Sequence, residues 1–403
     1  MASLIDRSGM RGRVSAHRID GVGTSIFTEI TALAVRHGAV NLGQGFPDFA
    51  APDFVKEAAA RHIRDDHNQY AASPGVPRLR QALADDWRRR CPGAPDVDPN
   101  DEITVAAGAT ELLHDAVLAI VNPGDEVIVF EPAYDAYAPD IAMAGASARA
   151  VPLGQPDWTF DPGLLSAAFG PRTRALLLNT PHNPTGKVFS RAELEIVAAL
   201  CQRHDVTVIS DEVYSAITFD TVHVSIATLP GMFERTITID SMGKTFSVTG
   251  WKVGWAIAPA PLSAALRAVH QFVTFTNATP FQEALADILP IAARDGYYDQ
   301  LRADYRRRRD LLSAVLRAAR LEPLPIGGAY FLLTDISGRG FDGDADFCRR
   351  LVSEYGVAAI PTSAFYADPS AAPTLARFCF AKKDETIAAA APRLAALASR
   401  NPP

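Results

Sequence analysis

Short runs of apolar residues recur along this chain with amphipathic segments between them, and that alternation limits the folds open to it. Ile103 to Val105, Val127 to Phe130, Ala175 to Leu178, Val206 to Ile209, Ile237 to Ile239 and Val253 to Ile257 read as strands. Glu111 to Val121, with Leu112, Leu113, Ala116, Val117 and Ile120 on one face, typifies the helices between them. Strands apolar on both faces fit a mostly parallel sheet covered by helices, and ligands of such sheets gather at the carboxyl ends of the strands. After about residue 290 the character changes. A long amphipathic helix, Tyr297 to Leu321, leads to strands at Ala329 to Asp335, Val357 to Ile360 and Arg377 to Phe380, then to an Ala-rich helix. That reads as a smaller α+β domain.

A chain of 403 residues holds two large domains or three small ones at about 150 residues each. Its 48% hydrophobic and 21% charged residues suit a folded, water-soluble protein. Lys plus Arg number 39 against 46 for Asp plus Glu, a net charge of -7 that repels phosphate backbones and anionic lipid. Neither nucleic acid nor a membrane is therefore expected as a partner. The dense basic run, Arg306 to Arg309, reads as the solvated face of the long helix. Cys91, Cys201, Cys348 and Cys379 include no close pair, so neither a metal site nor a disulfide framework suggests itself, and a reducing, cytoplasmic compartment fits. The N-terminal residues show no apolar export signal, and no run reaches the roughly 18 apolar residues of a membrane span.

A dinucleotide-binding reading fails: Gly21-Val-Gly23 follows no strand, and Gly43-Gln-Gly45 runs into Phe46-Pro47, which cannot open the required helix turn. Thr104 to Glu111 is more promising: a strand, a small-residue turn and a helix, with the amides of Ala109 and Thr110 free to hold a phosphate. The same residues also make an ordinary strand-to-helix turn. Four later phrases follow strands in the same way: Asn179 to Gly186, Ser210-Asp-Glu-Val-Tyr214, Asp240 to Phe246, and Thr249 to Gly254. Taken singly, these are turn chemistry, a surface acid pair and an exposed lysine.

Together the phrases carry a specific resemblance. Asn41-Leu-Gly-Gln-Gly-Phe-Pro-Asp48, His182-Asn-Pro-Thr-Gly186, Ser210-Asp-Glu-Val-Tyr214 and Gly243-Lys-Thr-Phe-Ser-Val-Thr-Gly-Trp-Lys252 resemble, in order, the fold-type I pyridoxal-phosphate enzymes of the class I/II aminotransferases. The wording is nearest the kynurenine and methionine aminotransferase subgroup, with N-succinyldiaminopimelate aminotransferases nearby. The resemblance runs from about Phe27 to the C-terminus. It implies an α/β large domain with a mostly parallel seven-stranded sheet, and a smaller α+β domain. Residues 1–50 would form an arm and part of the small domain, 51–290 the cofactor-binding domain, and 291–403 the small domain.

The resemblance also implies roles. Lys244 matches the lysine that bonds covalently to pyridoxal 5'-phosphate, gives way to the substrate amine and then shuttles the Cα proton. Asp211 matches the carboxylate that keeps the ring nitrogen protonated, while Asn183 and Tyr214 match donors to the ring's phenolic oxygen. Ser241, Lys252, Ala109 and Thr110 match the phosphate cup, and Tyr134 the aromatic that stacks on the ring. Tyr70 matches a tyrosine reaching the phosphate of a neighbouring subunit, which implies a homodimer with shared sites. Arg377 matches the arginine that grips the substrate's α-carboxylate, with Gly45 and Asn183 completing the clasp. Phe27 and Phe275 are expected to line an apolar side-chain pocket.

The implied reaction is ping-pong transamination: an L-amino acid of methionine, aromatic, kynurenine or glutamine type gives its α-amino group to a 2-oxo acid. A β-lyase on the same fold and an N-succinyldiaminopimelate aminotransferase are the alternatives. A transcription regulator built on the same domain would need a DNA-binding unit ahead of it, and no helix-turn-helix precedes the motifs.

Overall fold

Val, Ile and Leu fill the central strands, and these are buried on both faces because helices cover both sides of the sheet they build. The computed structural model describes residues 16–19, 23 and 25–398. Among these, the main sheet has eight strands, ordered Ile103–Ala106, Gly254–Ile257, Thr236–Ser241, Thr207–Asp211, Thr173–Asn179, Glu126–Glu131, Ser147–Gly154 and Thr159–Phe160. The run from Thr236–Ser241 to Ser147–Gly154 is parallel; Gly254–Ile257 lies antiparallel to both its neighbours.

Register brings the functional phrases to one edge. Asn179 pairs with Asp211 and Asp211 with Ile239, while Gly254 pairs with Ser241 on one side and Ala106 on the other. Helix Ala109–Ile120 follows the first strand directly and packs against helix Ala260–Val273 on one face of the sheet.

The C-terminal residues form a three-stranded antiparallel sheet, Phe331–Asp335, Leu375–Cys379 and Ile360–Pro361, with Leu375–Cys379 in the middle. Helices Tyr297–Ala318 and Asp384–Ala398 pack together, and helix Ile26–His37 packs on Gly343–Tyr355. Val40–Asn41 pairs with Val357–Ala358, so the early residues are built into this C-terminal layer.

Three elements depart from expectation. Ser147–Gly154, a strand not anticipated, alternates exposed and buried residues only at its end, so it lacks the apolar run that marks its neighbours. Thr159–Phe160 is a two-residue edge strand, and it raises the expected seven strands to eight. The single strand expected over 357–360 is two, because Ala359 separates residues pairing with Val40–Asn41 from residues pairing with the Ala376–Arg377 segment. Of the basic run only Arg307 is fully exposed, the other three being half-buried, and the run is engaged rather than simply solvated: Arg307 pairs with Asp384, Arg309 with Asp220, and the Arg308 guanidinium lies 4.2 Å from the centre of the Phe49 ring. Among the described residues, no helix is long and apolar enough to cross a membrane.

Candidate active site

A cavity of about 390 Å³ opens at the carboxyl edge of the sheet, within the range of small-ligand sites. Ala109, Thr110, Tyr134, Asn183, Asp211, Tyr214, Ser241, Lys244 and Lys252 all line it, together with Gly45, Arg377 and Phe27. Residues 27 to 377 converge because strand ends, one helix N-terminus and the C-terminal sheet meet there.

At one end lies a cradle. Gly108 caps helix Ala109–Ile120 with φ +82° and no side-chain cap, so the first amides of the helix are left without a side-chain acceptor. Gly254 lets the neighbouring strand approach: a Cβ there would stand 2.6 Å from the Gly108 carbonyl carbon and 2.7 Å from the Ala109 nitrogen. Lys252 reaches the same place, its Nζ donating to Thr110 Oγ1 at 3.4 Å, and the Ser241 side chain borders it. Helix amides, an ammonium and a hydroxyl make a donor set suited to a phosphate dianion.

Asp211 lies beyond the cradle, 4% exposed, accepting from the Tyr137 hydroxyl at 2.6 Å and from the Val213 amide at 3.3 Å. Burial pushes its carboxyl up to about 6, against those hydrogen bonds and the charge of Lys244. A buried carboxylate held this way gains from a cationic partner, such as a protonated ring nitrogen. Lys244 follows the strand Thr236–Ser241 on the one-turn helix Met242–Thr245. Its Nζ donates to the Gly45 carbonyl at 3.2 Å and lies 5.6 Å and 5.7 Å from the Tyr214 and Tyr330 rings. Burial, only partly offset by Cys379 and Asp211, brings the amine down to about 8. An amine of this kind is neutral often enough to attack an aldehyde or remove a proton. These donors, the carboxylate and the amine fit pyridoxal phosphate from its phosphate to its ring.

Arg377 marks the other end. It is 1% exposed, with Nη1 donating to Asn183 Oδ1 at 2.7 Å and Nη2 to the Gly43 carbonyl at 3.0 Å. Its guanidinium lies 4.0 Å from the Phe331 ring centre, 5.0 Å from Phe27 and 5.1 Å from Phe365. Since Asn183 Oδ1 is used by Arg377, the NH2 of that amide is the part left for a ligand. Gly45 lines the cavity as expected, and its carbonyl accepts from Lys244 and from the Tyr330 hydroxyl at 2.6 Å.

Two expected site residues lie elsewhere. Phe275 does not share a wall with Phe27: just past the end of helix Ala260–Val273, with φ +67°, it turns outward onto Tyr70, ring centroids 5.8 Å apart. Within one chain the pairing of Phe27 with Phe275 is therefore corrected. Tyr70 is 85% exposed and outside its own chain's cavity, bordering a separate hollow formed by residues 68–70 and 276–280.

The sequence reading missed several residues. Tyr137, hydrogen-bonded to Asp211, stands three positions after Tyr134, and that spacing was a usable signal. Asp135 also lines the cavity; burial pushes its carboxyl up, against the pull of Arg377. Tyr330, Phe331 and Phe365 come from the C-terminal layer and carried no local motif.

Comparison with known proteins gives this geometry a family. Residues 37–394 match the family model described as aminotransferase class I and II. The chain is 46% identical to a methionine aminotransferase of Escherichia coli, across 94% of this chain and 97% of that one. It is 43% identical to kynurenine–oxoglutarate transaminase 3 of Mus musculus, across 93% and 88%. The solved structure of N-succinyldiaminopimelate aminotransferase from Mycobacterium tuberculosis superposes with a TM-score of 0.90 at 44% identity, covering 95% of this chain and all (100%) of that one.

Proposed function

The chain belongs to the class I and II aminotransferases, and from that premise we propose that its amino donor carries an uncharged side chain and that the residues of the cavity divide the reaction as follows. The protein is a pyridoxal-phosphate-dependent transaminase, exchanging amino groups between amino acids and 2-oxo acids. Bound in this cavity, pyridoxal phosphate supplies an aldehyde carbon for the amino group and a protonated ring that draws electrons from the substrate Cα. Lys244 would hold it through Nζ, and that amine would then take the proton from the donor's Cα in one half of the reaction and supply one to the oxo acid's carbonyl carbon in the other. Asp211, kept in place by Tyr137, retains the proton at the ring nitrogen. Asn183 and Tyr214 serve the phenolic oxygen, and Tyr134 presents a ring face. Ala109, Thr110, Ser241 and Lys252 hold the phosphate; Arg377 grips the α-carboxylate. The observation that carries this reading is the convergence of Lys244, Asp211, the helix cradle and Arg377 on one cavity.

The donor class rests on the wall beyond Arg377. Phe27, Phe331 and Phe365 surround the guanidinium, and Asp135 adds a negative charge. Among the described residues that line the cavity the cations are Lys244, Lys252 and Arg377, and each already has a role above. A side-chain carboxylate would be buried unpaired at a cost of several kcal/mol. Methionine, aromatic amino acids, kynurenine or glutamine are therefore the proposed donors, in line with the names of two of the three relatives, the methionine aminotransferase and the kynurenine–oxoglutarate transaminase. Measuring kcat/KM for methionine, phenylalanine, kynurenine, glutamine and aspartate tests this, and aspartate as the best donor refutes it.

The same reading extends to assembly and place. A homodimer in which Tyr70 serves the partner's phosphate is supported by a patch of exposed apolar residues, Tyr70, Phe272, Val273 and Phe275. Cytoplasmic residence is supported by four cysteines present as thiols. The division into 1–50, 51–290 and 291–403 is supported by the main sheet lying wholly within the middle span and by Val40–Asn41 pairing with the C-terminal layer.

A further inference from the structure

Directly behind the phosphate cradle is a buried cluster that none of the roles above uses. Glu111, in the first turn of helix Ala109–Ile120, is 9% exposed; His270, on helix Ala260–Val273, and Asp115, one turn beyond Glu111, are both 0% exposed. His270 Nε2 lies 2.9 Å from the Ser73 carbonyl oxygen and Nδ1 lies 2.9 Å from Glu111 Oε1. Glu111 also accepts from Thr274 Oγ1 at 2.6 Å and from the Ala107 amide.

Donor bookkeeping fixes the protons. The Ser73 carbonyl can only accept, so Nε2 carries hydrogen. Burial pushes the Glu111 carboxyl up, but the hydrogen bonds from His270, Thr274 and Ala107 outweigh it and hold the group below its ordinary value, so Glu111 is an ionised acceptor. Nδ1 must then carry hydrogen as well. Burial lowers the imidazole's pKa, and the Glu111 bond and charge, with the Ser73 bond, more than restore it. Asp115 faces the pair, its Oδ2 3.8 Å from Nδ1, with both of its oxygens unpartnered. Beyond it are His114 and Asp140, and on the cradle side Glu111 is near enough to Lys252 to influence that amine.

We propose that His270 is an imidazolium that positions the phosphate cradle: its charge offsets Glu111 inside the helix end that must attract a dianion, and its two N–H bonds tie its own helix and the Ser73 segment to that helix. One bond reaches Ser73, three residues after Tyr70. Thr274, just past the end of the His270 helix, binds the same carboxylate, and Asn277 donates to the carbonyls of Ala106 at 2.8 Å and Lys252 at 3.0 Å. Thr279 closes the loop onto the Gln69 carbonyl at 2.6 Å. His270 touches no reacting atom; it acts through Glu111 and these segments.

The inference rests on the pyridoxal-phosphate reading, and the test separates the two. Holoenzyme is diluted into inorganic phosphate, and cofactor release is followed by its absorbance for wild type, His270→Gln, Glu111→Gln and the double variant. His270→Gln should speed release tenfold or more, and adding Glu111→Gln should recover most of that, because the uncompensated carboxylate is gone. A purely structural role predicts that the double variant is no better than His270→Gln. Release unchanged in His270→Gln overturns the inference, as does a double variant without recovery. In wild-type holoenzyme carrying labelled histidine, the ring resonances of His270 at neutral pH should be those of a doubly protonated imidazole, and a neutral ring overturns the proposal even where the variants fail to fold. A wild type that holds no pyridoxal phosphate at all would instead sink the parent reading.

Discussion

Lys244 is where residue-scale chemistry is most exposed to test. With its amine brought down to about 8 against 10.5 for an ordinary lysine, the neutral fraction at pH 7.5 is roughly two hundredfold that of a surface lysine. Cofactor-free protein treated with a limiting amine-directed reagent should therefore be modified first at Lys244, with a rate that rises through a midpoint near pH 8; peptide mapping that finds surface lysines reacting equally would contradict it. Asp115 offers a second test at this scale. Burial and Glu111 push its carboxyl from 3.8 up to about 7, so between those values the folded state holds a proton that the unfolded state has released, and stability falls as pH rises through that window. Asp115→Asn removes this loss. The variant should gain about 2–4 kcal/mol over wild type at pH 8 and little at pH 4, read from denaturant midpoints at the two pH values. Equal effects at both would mean that Asp115 is ionised throughout. Residues of this kind separate what the sequence displays from what it hides. Lys244, Asp211 and Asn183 sit in contiguous phrases at strand ends and could be read directly, whereas Asp135, Tyr330 and the Glu111–His270 pair acquire meaning only from neighbours up to 285 positions away.

Among the elements, the helix Ala109–Ile120 matters most, because its unprotected N-terminus, the close approach of Gly254 and Lys252 together make the cradle. Gly254→Val would push the strand off the Gly108–Ala109 backbone. Cofactor affinity should fall by two orders of magnitude or more, while cofactor-free protein keeps helix and strand content by circular dichroism; retained affinity would show that the helix amides are not the phosphate site. Legibility at this scale followed burial. Strands covered on both faces announce themselves as apolar runs, so the six buried strands were read to within a few residues. Ser147–Gly154 is at the sheet's solvated margin and Thr159–Phe160 has only two residues, so neither carries such a run. Phe275 escaped for a different reason: an aromatic beside a helix end gives no sign of which way a positive φ will turn it.

Over the whole molecule, two surfaces that no single segment reveals decide function. The C-terminal layer brings Arg377 and its three phenylalanine rings to a cavity whose other end is built from Gly108, Ala109, Thr110, Ser241 and Lys252. The exposed patch of Tyr70, Phe272, Val273 and Phe275 is the surface on which the proposed second copy would pack. Phe272→Glu should shift the protein towards monomer in sedimentation and weaken cofactor retention with it, while a dimer undisturbed by the charge would move the interface elsewhere. The central claim is that this cavity exchanges amino groups through Lys244. It is tested most directly by mixing holoenzyme with methionine alone, with no acceptor, and counting products. One equivalent of the matching 2-oxo acid per subunit, no free ammonia, and nothing from Lys244→Ala is the predicted result; continuing release of ammonia, or an undiminished yield from Lys244→Ala, would contradict it.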